Sequence, residues 1–355
     1  LQPNDTQPAS TPIPRPIQFG LFLLGFLWIL IARSAADRSA QGIGTRLNFS
    51  QYPTALLAEA FFLFLLLCGF AALSWIATRS GRIRATNALP TRPTASSEWT
   101  VGAAIGWAML LLAILPMMLA GDLQPAFWLA PRAWLLAIVT LLTIALNTLA
   151  LEVAFRGYIF RRLIDAIGPT LATILLSALY AILSTFRPNA TGISIFITFL
   201  LGILLSMAYL RTHALWLGWG LHFAWNAAMG VLFGLPVAGV ITYNVLVDTN
   251  VRGSWLLTGG PYGPEAAAFS ILCIVAAIFV LYRSTRNYAW AYTHPPIVAA
   301  GYPMDIAPPP AHTAMEQAAA TKPATLIQIL PTTATTASTS PAVEEHLRAS
   351  KNSND

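Results

Sequence analysis

The chain has 355 residues, of which 56% are hydrophobic and only 10% charged, and its mean hydropathy is +0.63. A soluble domain carries about 25% charged residues, so these values exclude an ordinary soluble fold. The net charge of +6 is spread through loops that flank apolar segments and forms no dense patch, which argues against a nucleic-acid partner.

A helix needs about 20 mostly apolar residues to cross a bilayer. Residues 1–16 are polar and Pro-rich and predict a flexible arm. Candidate spans then follow at 17–33, 54–78, 101–120, 132–151, 169–186, 193–210, 214–233 and 266–283. The expected fold is therefore an all-α, polytopic transmembrane helical bundle of about eight spans. The first span lacks a small-residue cleavage site before Arg33, Arg38 and Arg46 and is read as an anchor. A polar linker, 79–100, separates the second and third spans. From residue 288 to residue 355 the chain is Pro-, Ala- and Thr-rich and is expected to be a disordered tail. Residues 17–130 and 131–287 then divide the membrane part into N-terminal helices and a second transmembrane domain.

Basic residues concentrate in the even-numbered loops: Arg79, Arg82, Arg84 and Arg92, then Arg161 and Arg162, then Arg211, then Arg283 and Arg286. Positively charged loops stay on the cytoplasmic side, so both termini are expected in the cytoplasm of a bacterial-type cell membrane. Arg38 and Arg46 in the first loop argue the other way. Cys68 and Cys273 both fall inside spans without metal-type spacing and are expected to pack as apolar residues.

Ionisable residues inside spans cost about 2.5–3.5 kcal/mol each on insertion scales and so ask for a reason. Glu152 and Arg156 are i,i+4 and share a helix face, with the glutamate first, the favourable order. Taken alone, they predict a salt bridge fixing the end of the fourth span. His222 and Asn226 are likewise i,i+4 in the seventh span and could together orient a water or contribute to a metal site. Asn147 lies one turn before Leu151. Glu59 near the start of the second span is expected to snorkel to the interface, with entry into a cavity as a substitute acid the alternative. His213 is expected at the interface.

In combination these residues resemble the CPBP family of intramembrane proteases, which includes the CAAX prenyl endopeptidases and bacterial abortive-infection and lysostaphin-resistance-like proteins. Glu152, Phe155, Arg156 and Gly157 match the family's Glu-Glu-x-x-x-Arg motif, and His222 and Asn226 match His-x-x-x-Asn/Asp. The stretches Ser206–Thr212, Phe233–Pro236 and Gly259–Glu265 also look like bacterial members. The resemblance spans roughly 140–283 and implies a water-activating site among the fourth, fifth and seventh spans, with Glu152 and Arg156 in support.

Two positions depart from the pattern. The first Glu of the first motif falls on Leu151, and the His of the Phe-x-x-x-His motif falls on Ser184 in Tyr180-x-x-x-Ser184. Zinc is the metal such a family site would take. Here His222 is the one strong ligand and Asn226 a weak one, so no cofactor is expected from the residues themselves. Three functions stay open: an endopeptidase acting on a membrane-associated peptide or protein, a pseudoprotease that binds such a partner without cutting it, and a transporter. The last would show inverted repeats and paired interrupted spans, which the sequence lacks.

Overall fold

The computed structural model describes residues 13–78 and 83–286. The expected tail, most of the N-terminal arm, and Arg79 and Arg82 lie outside these residues. In chain order, α1 (Arg15–Arg46) and α2 (Gln51–Thr78) form a hairpin, followed by a single turn, α3 (Ile83–Thr86), and by α4 (Ala95–Ala120). A short strand β1 (Leu123–Phe127) leads into α5 (Pro131–Glu152), a π-helical turn (Val153–Gly157) and α6 (Tyr158–Ile167). Next come α7 (Pro169–Ser184), α8 (Gly192–Thr212) and α9 (Trp216–Ala227), which ends in a second π-helical stretch (Ala228–Leu232). Strand β2 (Val247–Val251), the turn α10 (Trp255–Thr258) and α11 (Ala268–Ser284) complete the described chain.

This is an integral membrane protein with an all-α bundle. Helices α1, α2, α4, α5 with α6, and α8 are each long and apolar enough to cross a membrane, and α7 and α11 are shorter apolar helices. Together with α9 they account for the eight expected spans in order. Large apolar side chains such as Leu24, Phe64, Leu135, Ile182 and Phe279 point outward, because a bilayer imposes no penalty on an apolar exterior.

Close helix approach in lipid depends on small residues, since apolar burial gives little drive between helices. Gly102 and Gly106 on α4 supply a G-x-x-x-G face against α9, where an added methyl would run into the carbonyl oxygens of Leu217 and Leu221. Gly220 answers from α9, against the Trp99 carbonyl. Helix α9 is thereby sunk into the bundle, with Leu217, Leu221 and Trp225 in one apolar core together with Met109, Leu110 and Ile274. A second core joins α1, α2 and the α5–α7 segment through Phe22, Phe62, Phe70, Tyr158 and Phe160.

Several expectations are corrected by this arrangement. The fourth span does not end at Glu152: the apolar helical segment continues through the π turn to Ile167, and the first charges it meets, Glu152 and Arg156, are buried and paired inside the protein. The first helix likewise runs past Arg33, whose guanidinium is bonded to Asp37 one turn on. Cys273 packs in the core, whereas Cys68 is exposed on α2. An antiparallel two-stranded ribbon pairs Leu123 with Val251 and Phe127 with Val247, an element absent from the helical reading of the sequence.

Candidate functional site

Glu152 closes the regular part of α5, and the π turn that follows reorients Phe155 and Arg156 within the bundle; such turns recur at functional sites. Glu152 and Arg156 are each 1% exposed, with Nη1 of Arg156 3.5 Å from Oε1 of Glu152. The pair is therefore internal, which corrects the expected interfacial bridge at a helix end. Arg156 also donates from Nη2 to the Gly202 carbonyl at 3.4 Å, and its guanidinium lies 5.1 Å from the ring centre of Tyr180, a favourable cation–π geometry.

The same carboxylate reaches across to α9. Nδ1 of His222 lies 3.0 Å from Oε1 of Glu152; an ionised carboxylate only accepts, so Nδ1 carries the shared proton, and in the neutral imidazole Nε2 is then the acceptor. Two features make room for this contact. Gly218 passes the carboxylate so closely that an added Cβ would lie 3.1 Å from Oε2. Trp219 holds α9 against α5 by donating from Nε1 to the Ala145 carbonyl at 3.0 Å.

Two adjoining cavities meet at Leu151. The larger, of about 430 Å³, is lined by Leu151, Phe155, Tyr180 and Ser184, and also by Arg33, Glu59 and Glu265. The smaller, of about 40 Å³, is lined by His222 and Asn226. Asn147, Leu151, Tyr180, Arg187, Tyr243 and Glu265 border both. The structure thus brings His222 and Asn226 together beside Leu151 and puts Ser184 in the adjoining chamber. Asn226 Oδ1 is buried without a hydrogen-bond partner, whereas Ser184 Oγ donates to the Ala181 carbonyl of its own helix at 2.6 Å.

Glu59 lines the larger of these two cavities, the alternative to the snorkelling expectation. It is 7% exposed and accepts from Arg33 Nη1 at 2.8 Å. His213 lies elsewhere, at the C-terminal cap of α8. Residues that the sequence reading did not single out complete the walls. Glu265 accepts from Trp225 Nε1 at 2.9 Å and from the Ala238 N–H at 2.6 Å, pinning the 236–240 loop over α9. Burial, reinforced by Glu59, raises the phenol pKa of Tyr243, so this group is a hydrogen-bond donor at neutral pH. In the sequence Glu265 was visible only as the end of the family-like stretch Gly259–Glu265, and Tyr180 as the first position of the altered second motif.

The donors present do not fit a zinc site. The site offers one imidazole and one amide, and among the described residues no group of three or more His, Cys, Asp or Glu could hold a metal ion. A catalytic zinc takes three protein ligands.

A buried carboxylate–guanidinium–imidazole cluster thus stands beside a cavity inside a helical membrane bundle. Residues 132–228 match the family model described as type II CAAX prenyl endopeptidase Rce1-like. The match covers the helices bearing Leu151, Glu152, Arg156, Ser184, His222 and Asn226, and it supports the CPBP resemblance seen in the motifs. No curated protein and no solved structure matches the chain.

Proposed function

We propose that this protein is a CPBP-type endopeptidase homologue that retains a cavity for a membrane-associated peptide or protein segment and is impaired in hydrolysis. The observation that carries this reading is the chemistry of two wall positions. Leu151 borders both chambers and offers no proton acceptor where the family places a carboxylate, and Ser184 commits its hydroxyl to the Ala181 carbonyl. The same reading keeps both termini in the cytoplasm and makes Glu152 and Arg156 supporting groups.

The contact between Glu152 and His222 favours a second reading, slow metal-free hydrolysis. Nε2 of His222 would take a proton from a water as its oxygen attacks the scissile carbonyl, and the imidazolium, held by Glu152, would pass that proton to the departing amine. A positioned base contributes about 10²–10⁴-fold, well short of the 10⁶-fold or more of ordinary enzymes.

A proteolysis assay on purified protein in detergent, with wild type beside Leu151→Glu/Ser184→His and His222→Ala, separates these outcomes. Turnover in the double variant alone is the expected result, accompanied by stoichiometric zinc in that variant and not in wild type. Wild-type turnover abolished by His222→Ala would establish the second reading and overturn the first.

A further inference from the structure

A separate cavity, of about 620 Å³, lies at the other end of α7 from Ser184. Pro169 opens the helix there, and 15 residues at 1.5 Å each put the two positions about 22 Å apart. Its walls come from the end of α2, from Thr86, from α6 with Arg161, Arg162 and Asp165, and from the end of α8 with Tyr209 and His213. None of these residues takes part in the site around His222.

The arginines are held by neutral partners. Arg161 donates to the Thr86 carbonyl. Arg162 donates from Nη1 to Gln18 Oε1 at 3.1 Å, and its guanidinium lies 4.9 Å from the ring centre of Tyr158. Among the described residues neither arginine forms an ion pair. Each guanidinium has five N–H donors and its geometry matches a phosphate, so the observed bonds leave donors for a guest. Burial and the neighbouring Arg92 hold the His213 pKa below its ordinary value, so at neutral pH it adds a hydrogen-bonding ring without further charge.

The surroundings select the guest. Trp75, Ile76, Ile83 and Leu171, each within two residues of a wall residue in sequence, are exposed apolar side chains. A basic pocket at the ends of apolar, span-length helices such as α2 and α8 is the environment of a lipid headgroup. Asp165 inside the pocket repels a dianion more than a monoanion, which favours a phosphodiester over inorganic phosphate. We infer that this pocket binds the phosphate of an anionic membrane lipid, with Arg161 and Arg162 as its anchors.

Native mass spectrometry of the full chain in detergent tests this, titrating dioctanoyl phosphatidylglycerol, dioctanoyl phosphatidylcholine and inorganic phosphate separately. The expected result is one retained phosphatidylglycerol per chain, bound about tenfold more tightly than phosphatidylcholine. Arg161→Gln/Arg162→Gln should remove that preference while leaving phosphatidylcholine adducts unchanged. Because Arg161 also tethers Thr86, Arg162→Gln alone carries the test if the double variant fails to fold, with an expected weakening of about threefold or more. Equal affinity for the two lipids, unchanged phosphatidylglycerol binding in Arg162→Gln, or inorganic phosphate bound as tightly as phosphatidylglycerol would each overturn the assignment.

Discussion

Of the arginine–glutamate pairs among the described residues, two at the candidate site are of opposite construction, one facing the cavity of about 430 Å³ and one behind its wall. Arg33 and Glu59 approach to 2.8 Å, but the arginine side chain is 38% exposed and shares itself with Asp37. Arg156 and Glu152 stand 3.5 Å apart with both side chains 1% exposed, and Glu152 is divided between the guanidinium and His222. The shorter pair is the weaker constraint. An exposed pair competes with water and contributes about 0–1 kcal/mol. In a buried pair the desolvation already incurred makes each partner dependent on the other. Separation alone therefore misorders the two, and burial decides which residues the fold cannot lose.

The largest expected effect follows directly. Glu152→Ala leaves Arg156 charged, buried and without its carboxylate, a change that typically costs about 3–5 kcal/mol. Thermal unfolding in detergent should show a large fall in midpoint, and a Glu152→Ala/Arg156→Met double variant should recover much of it, since an apolar replacement removes the orphaned charge. A single-variant loss below about 1 kcal/mol, the exposed-pair range, would erase the distinction between the two pairs.

The same contrast explains what was legible in the sequence. The apolar helices were visible because hydropathy is a local property that needs no partner. Glu152 and Arg156 were visible as a pair because i,i+4 spacing is local too, but their burial was not: the partner that draws Glu152 inward, His222, is 70 residues away. The family motifs placed both residues at one site without specifying their contact. Glu59 was misjudged for the same reason, its partner Arg33 lying 26 residues back across the α1–α2 hairpin. The β-ribbon joins residues such as Leu123 and Val251, and Pro125 inside β1 weakens the local signal further.

A smaller effect tests how tightly the buried carboxylate is boxed. Gly218→Ala would put a methyl 3.1 Å from Glu152 Oε2, and overpacking of this kind costs about 1–3 kcal/mol. Gly42→Ala on α1 is the control. An added Cβ there meets nothing within 4 Å, and alanine is the better helix former by about 0.8–1.0 kcal/mol. The two substitutions should move the unfolding midpoint in opposite directions. A neutral Gly218→Ala would mean that Glu152 shifts freely and that its bond to His222 is not held in place by packing.

The smallest effect belongs to the cavity-facing pair. A double-mutant cycle of Arg33→Gln and Glu59→Gln isolates their coupling from other losses, and the partial exposure of Arg33 limits it to about 1 kcal/mol or less. Raising salt from 0.05 to about 0.5 M should shrink it further, since the Debye length falls from roughly 14 Å to about 4 Å over that range. The corresponding Glu152–Arg156 coupling should hardly respond to salt, because mobile ions do not enter a site that is 1% exposed. Glu59 is the buried member of a half-exposed pair. Its side chain is 9% exposed and its Oε2 is buried without a hydrogen-bond partner, so a coupling well above 1 kcal/mol would show that burial of one partner is enough to make a pair indispensable.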